Sequence, residues 1–339
     1  MIIIKRNARL PAVLIALSVL YLSTEFLAAG CGGKKAEGAL KVAASIVPLA
    51  DFCRNVGGGL VEVEIMVPPG ASPHTFEPTS NQMIFLSDAG LFVYNGLDLE
   101  TWVTEVVKKA GNRELVEVAA AESVPNSDLI LAGAGHHQQE GSGRESEPGS
   151  DHEAEEERGE SGDHQHGIYD PHVWLDPNLA VYEVEAIRDG LIKADPENQE
   201  SYRKNAQEYI GELKELNKYV KGETSTFTRK KFVSFHPAFT YYAHRYGLEQ
   251  VGVIEELPGK EPSAGEISKL IDVIKEQGVE VVFTEPQFNP KAAEAIQSES
   301  GAQVVLESLD PLGNFEDPEV STYIKLIKHV TGVMAEAMK

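Results

Sequence analysis

From Leu40 onward, short β-branched runs alternate with stretches of helical spacing, and this rhythm limits the folds open to the chain more than any other feature. Residues 40–44, 60–67, 91–94 and 115–118 read as strands; after a central interruption the rhythm resumes at 231–235, 250–254, 279–284 and 302–306. Strands joined through a helix run parallel, because the helix carries the chain back across the sheet. The expected fold is therefore α/β, with two lobes that each hold a mostly parallel sheet flanked by helices. Ser263 and Glu266 form a capping box for one of these helices, and Ile267, Leu270, Ile271 and Ile274 recur on one face before Gly278 ends it. Asp317-Pro318 reads as the start of a last helix with Ile324, Ile327 and Val330 facing inward.

One long helical stretch separates the two sets of strands. Asp195-Pro196 caps it, and Tyr202, Ala206, Tyr209, Leu213, Leu216 and Val220 recur at steps of four and three up to Gly222. At 1.5 Å per residue, a helix over 197–221 is roughly 37 Å long. A helical connector resists bending, which implies limited hinge motion. The boundaries read as an N-terminal lobe over 40–195, a linker helix over 196–222 and a C-terminal lobe over 223–339.

The interruption at 133–167 has a different composition. It holds His136, His137, His152, His164 and His166 among many carboxylates and almost nothing apolar. Such a segment cannot offset the entropy of ordering and is expected to be a disordered loop. Imidazole beside carboxylate suits weak, plural metal binding; the plainer alternative is a solvated acidic insertion.

The first 31 residues read as an address. Lys5, Arg6 and Arg9 precede an apolar run over 10–22 and a small-residue ending, Leu27-Ala28-Ala29-Gly30-Cys31. The run is shorter than the ~20 residues that span a bilayer, so it reads as a signal peptide. Its ending resembles a bacterial lipobox, whose cysteine is acylated and becomes the new N-terminus, and 32–39 then forms a polar tether. Cleavage without lipid would instead leave a soluble exported protein. Either way the mature chain is expected outside the cytoplasmic membrane, periplasmic or at the cell surface.

Charge narrows the function. With 30 Lys and Arg against 53 Asp and Glu, the net charge is −23, which opposes nucleic-acid binding and suits cations. Two cysteines, Cys31 and Cys53, are too few for a thiolate metal site, and Cys53 reads as a small buried hydrophobe. Any metal is therefore held by nitrogen and oxygen.

Five histidines lie outside the acidic loop: His74, His172, His236, His244 and His329. The first three stand beside prolines, and His74 and His236 follow strands 60–67 and 231–235. Side chains just past the carboxyl ends of parallel strands line the ligand crevice. Asp310, after 302–306, and Glu285, after 279–284, occupy the same kind of position. Three neutral imidazoles and one carboxylate suit Zn²⁺ better than Mg²⁺ or Ca²⁺. His244 reads as a packing residue or a support for a ligand, and His329 as structural.

Five ordered segments, Pro-His-x-Phe-Glu-Pro from Pro73, Asp-Pro-His-x-Trp-Leu-Asp-Pro from Asp170, Phe-His-Pro-Ala-Phe-x-Tyr from Phe235, Phe-Thr-Glu-Pro-Gln-Phe from Phe283 and Leu-Asp-Pro-Leu-Gly from Leu309, carry a family resemblance. They resemble the ZnuA-like zinc-binding solute-binding proteins of bacterial ABC transporters, within the wider zinc/manganese-binding group that also includes surface lipoproteins described as adhesins. The resemblance implies metal held between two α/β lobes, with His74, His172 and His236 as imidazole ligands and Asp310 as the carboxylate. Glu285 and His244 stand as supporting or alternative ligands. Manganese-binding relatives tend to carry Glu where His236 stands, and a His-rich insertion is typical of zinc members.

The expected function is capture of Zn²⁺ outside the cytoplasmic membrane and delivery to an ABC permease and its ATPase. The protein is expected to be a monomeric, lipid-anchored carrier with one tight zinc site and weaker sites in the loop, and not an enzyme. Its affinity should fall below about pH 6.5 as protons compete for imidazole. The alternatives are a manganese-binding homologue, a metal-stabilised adhesin lipoprotein, and a zinc hydrolase using a general base such as Glu285.

Overall fold

The computed structural model describes residues 38–133, 168–256, 259–289, 291–301, 303–305 and 309–339. The expected signal peptide with Cys31, most of the expected tether and the five loop histidines lie outside the described residues.

The first lobe is built on β1 (Leu40–Ala44), β2 (Val61–Ile65), β3 (Leu91–Tyr94) and β4 (Val116–Ala119), all parallel, in the order β2-β1-β3-β4. The second repeats the plan with β5 (Lys231–Ser234), β6 (Glu249–Val253), β7 (Val281–Phe283) and β8 (Gln303–Val305) in the order β6-β5-β7-β8. The helices are α1 (Val47–Gly57), α2 (Ser80–Asp88), α3 (Val103–Ala110), α4 (Ala180–Ala194), α5 (Gln199–Thr224), α6 (Thr240–Tyr246), α7 (Ala264–Gln277), α8 (Lys291–Ser300) and α9 (Tyr323–Met338).

Alternation along the strands shows why both faces of each sheet are covered. In β1, Val42 and Ala44 enter the large core shared by the lobes, while Ala43 points to the outer core with α2 and α3. In the second lobe, Phe232, Val281 and Phe283 join the shared core, while Val233 and Val282 pack with Ile271, Ile274 and Ile296 of α7 and α8. The helix α5 buries Tyr202, Ala206, Tyr209, Leu213, Leu216 and Val220 in the shared core, and it packs against α1, α4 and α9.

Most strand boundaries differ from the sequence expectation by one or two residues, and three elements differ for an identifiable local reason. The long helix opens with a 3-10 turn over Pro196–Asn198, held by Asp195 accepting hydrogen bonds from Asn198 (2.7 Å) and Tyr202 (2.6 Å). It then runs through Gly222 to Thr224, giving 26 residues or about 39 Å. A glycine inside a helix costs about 1 kcal/mol, and burial of Val220 and Thr224 offsets it, with Thr224 Oγ1 donating to the Val220 carbonyl at 2.8 Å. The last helix starts at Tyr323, not at Asp317-Pro318, because Thr322 supplies the cap, while Asp317 accepts from Glu319 N at 2.9 Å in a separate turn. Finally, β2 begins after a 3-10 turn over Gly58–Leu60.

In each sheet the chain leaves one central strand toward one edge and the other central strand toward the opposite edge. Crevices open at such switch points, past the carboxyl ends of the strands. In the first lobe these ends lead into Ser45 and Asn95, and in the second into His236 and Glu285.

Candidate metal centre

His74, His172 and His236 converge: their ring nitrogens form a group lying within 4.8 Å of one another. Each comes from a different connection. His74 is half-buried in the segment between β2 and α2, where Trp102 Nε1 donates to the Pro73 carbonyl at 2.9 Å and fixes the backbone before it. His172 is buried ahead of a 3-10 turn over Val173–Leu175, and Asn95, at the end of β3, donates to the Pro171 carbonyl at 2.9 Å. His236 follows β5 and is buried at the second switch point, with Ser234 Oγ donating to its carbonyl at 2.7 Å.

The two buried imidazoles are held the same way. Asp170 Oδ1 accepts the backbone N–H of His172 at 2.9 Å and faces Nδ1 of its ring at 2.8 Å. Glu285 Oε1 accepts the backbone N–H of His236 at 3.1 Å and faces its Nδ1 at 2.8 Å. An ionised carboxylate can only accept, so each Nδ1 carries the hydrogen and each neutral ring turns the lone pair of Nε2 outward. Those two Nε2 atoms stand 3.3 Å apart. Two lone pairs at that distance repel unless a proton or a metal ion lies between them. Two nitrogens at about 2.0–2.1 Å from one tetrahedral zinc ion are themselves about 3.3–3.4 Å apart, so the spacing fits such an ion.

The walls join the lobes. Ser72, Pro73, Gln287, Phe288, Pro311 and Leu312 line the pocket beside the three rings and Trp174. The indole of Trp174, whose ring centroid lies 5.3 Å from that of His172, donates through Nε1 to the Pro311 carbonyl at 2.8 Å. Tyr323, at the start of α9, donates its hydroxyl to the Trp174 carbonyl at 2.6 Å.

A family model described as zinc-uptake complex component A, periplasmic (ZnuA) matches residues 42–337. The chain belongs to the ZnuA family. The high-affinity zinc uptake system protein ZnuA of Bacillus subtilis (strain 168) is 33% identical over 320 residues, which cover 92% of this chain and 94% of that protein. The zinc-binding protein AdcA of Streptococcus pyogenes serotype M3 (strain MGAS315) is 34% identical over 286 residues; the match takes in 84% of this chain and only 53% of AdcA, so the chain spans about half of that relative. A ZnuA crystal structure aligns with TM-score 0.71 and 31% identity over 89% of this chain and 100% of its own.

The ZnuA-family site differs in two places from the sequence expectation. Asp310, expected as the fourth ligand, is not in the group of converging ligand atoms, which among the described residues contains the three imidazoles alone. Its carboxylate accepts from Gln287 Nε2 at 2.9 Å, Leu312 N at 3.0 Å and Gly313 N at 3.1 Å, and these bonds hold it in its own turn. Gly313 makes that turn possible, since its φ of +77° lies in the left-handed region. His244 is exposed: α6 buries Tyr241, Tyr242, Ala243 and Tyr246, which turns position 244 outward, away from a supporting role. His329 is half-buried in α9, and Cys53 is fully buried, its thiol pushed well up by burial.

Asp170 is the functional residue that sequence reasoning passed over. Its signal was present in Asp-Pro-His, where a carboxylate two residues before a histidine can cap the backbone N–H and reach the ring. Replacing Asp170 with Asn or Glu285 with Gln is expected to lower metal affinity about 10–100-fold with the fold retained, because the ring loses its fixed tautomer. Competitive titration alongside circular dichroism measures this; unchanged affinity in both variants would rule out the orienting role.

Proposed function

We propose that this chain captures Zn²⁺ outside the cytoplasmic membrane and delivers it to an ABC permease driven by its ATPase, with His74, His172 and His236 as the ligands. The observation that carries the reading is the pair of carboxylate-oriented imidazoles whose Nε2 atoms face each other at 3.3 Å. That arrangement is unfavourable for two neutral rings alone and favourable around a cation. A nitrogen-rich set favours Zn²⁺ over Mn²⁺, which prefers carboxylate and other oxygen ligands.

The chain acts as a carrier and not a catalyst. Glu285, the group a hydrolase reading would use as general base, is buried and committed to the His236 ring. Cys31 anchors the mature chain as a lipoprotein on its polar tether, the protein works as a monomer, and the loop histidines 136, 137, 152, 164 and 166 supply weaker sites.

Metal analysis of the purified mature protein is expected to return one tightly held zinc, and competitive titration to rank Zn²⁺ above Mn²⁺. A preference for Mn²⁺ would overturn the assignment of the cargo. Removal of 133–167 is expected to leave the tight site and abolish the weaker ones; unchanged stoichiometry would make the loop incidental.

A further inference from the structure

Gln287 sits two residues past Glu285, beyond the carboxyl end of β7, and lines the pocket that holds the three imidazoles. Its amide does two things at once. Nε2 donates to Asp310 Oδ1 at 2.9 Å, and Oε1 is buried with no hydrogen-bond partner among the described residues. The reverse orientation would press the amide oxygen against a carboxylate oxygen, so the amide has only one favourable way round. Asp310, with two backbone N–H groups and this amide on its oxygens, is a carboxylate whose charge is already spread over three donors. The oxygen that Gln287 leaves unpartnered is neutral.

We propose that Gln287 limits how tightly the site holds its ion, by tying back Asp310 so that the fourth coordination position is filled by a neutral oxygen from solvent. Three imidazoles and a neutral oxygen leave the bound Zn²⁺ its full double charge. A carboxylate would cancel half of it, hold the ion harder and slow its release, a disadvantage in a protein whose cargo must leave. The carboxylate would also move the site toward the oxygen-rich sets that suit Mn²⁺. Gln287 is thus a positioning residue that acts on affinity and metal choice through Asp310. This inference rests on the zinc-carrier reading above.

The test uses the mature chain with Gln287→Leu, Asp310→Asn and the double variant, titrated with Zn²⁺ against a chelator and with Co²⁺ followed by its visible absorption. Gln287→Leu is expected to bind Zn²⁺ about tenfold more tightly, to release it more slowly, to narrow the gap between Zn²⁺ and Mn²⁺, and to show a changed Co²⁺ spectrum. Asp310→Asn alone should change zinc affinity by less than about threefold, and the double variant should lose both the tightening and the spectral change. A merely structural role for Gln287 would not produce a spectral change that depends on Asp310. A tenfold or greater loss in Asp310→Asn would make Asp310 a ligand already and overturn the proposal, as would weakened or unchanged binding in Gln287→Leu. Failure of the unmutated protein to bind one zinc would instead overturn the carrier reading, which the variant comparison does not address.

Discussion

Zinc affinity is expected to fall a hundred- to a thousandfold when His172 is replaced with Ala. Apparent zinc binding energies of about 10–16 kcal/mol over four ligands put roughly 3 kcal/mol on each, and each 1.4 kcal/mol is about a factor of ten. His172 is also the ring whose Nε2 faces His236 at 3.3 Å, and its loss leaves the buried Asp170 carboxylate without the imidazole it orients. His244→Ala, on the exposed side of α6, is the comparison and should bind as the unmutated protein does. Titration against a chelator of known affinity separates the outcomes. Equal affinities in the two variants would mean that the three rings do not form the site.

The second large effect concerns stability and lies away from the metal. Glu183, in the first turn of α4, is fully buried, and neither carboxylate oxygen has a hydrogen-bond partner among the described residues. Burial pushes its pKa from the ordinary 4.5 up to about 8, and the neighbouring Glu100 carboxylate adds to the rise. Glu100 is itself raised to about 7 by burial, against the opposing pull of the Ser45 hydroxyl and the backbone N–H groups of Asn95 and Gly96. The folded protein therefore keeps protons that the unfolded chain releases as pH rises above the ordinary carboxylate value. Folding is favoured at the acidic end of this window and weakens toward its upper end, by about tenfold in the folding equilibrium per pH unit for each retained proton. Glu183→Gln, neutral at every pH, is expected to flatten this slope and to melt several degrees higher than the unmutated protein at pH 8, with a smaller difference at pH 5. Thermal melts of the metal-free protein at both values measure it. A slope identical in the two proteins would show that Glu183 ionises in the folded state as it does in water.

The α/β class was legible because a strand buried on both faces and a helix buried on one leave different spacings in the sequence, and the two alternate from Leu40 to the last helix. The capping box at Ser263 and Glu266 and the glycine stop at Gly278 were legible for the same local reason, and both are present around α7. Boundaries set by competition between neighbours were less so. Asp317-Pro318 carries a helix-start signal as strong as that of Thr322, and only the packing of Tyr323 against Trp174 and Asp51 selects the later start. Glu183 gave no sign in its spacing that it would be sealed in a core.

Residue order set the chemistry on offer: imidazole and carboxylate without thiolate, and histidines set beside prolines past strand ends. It also determined the sheets that would carry them, because backbone hydrogen bonding and apolar periodicity are local properties. Tertiary structure alone decided which of those groups meet. Nε2 of His172 and His236 face one another across 64 residues of chain because Asp170 and Glu285 turn the rings. Asp310 is held out of the group by Gln287 and two backbone amides, and no spacing records that restraint, since it exists only once the segments after β7 and β8 lie side by side.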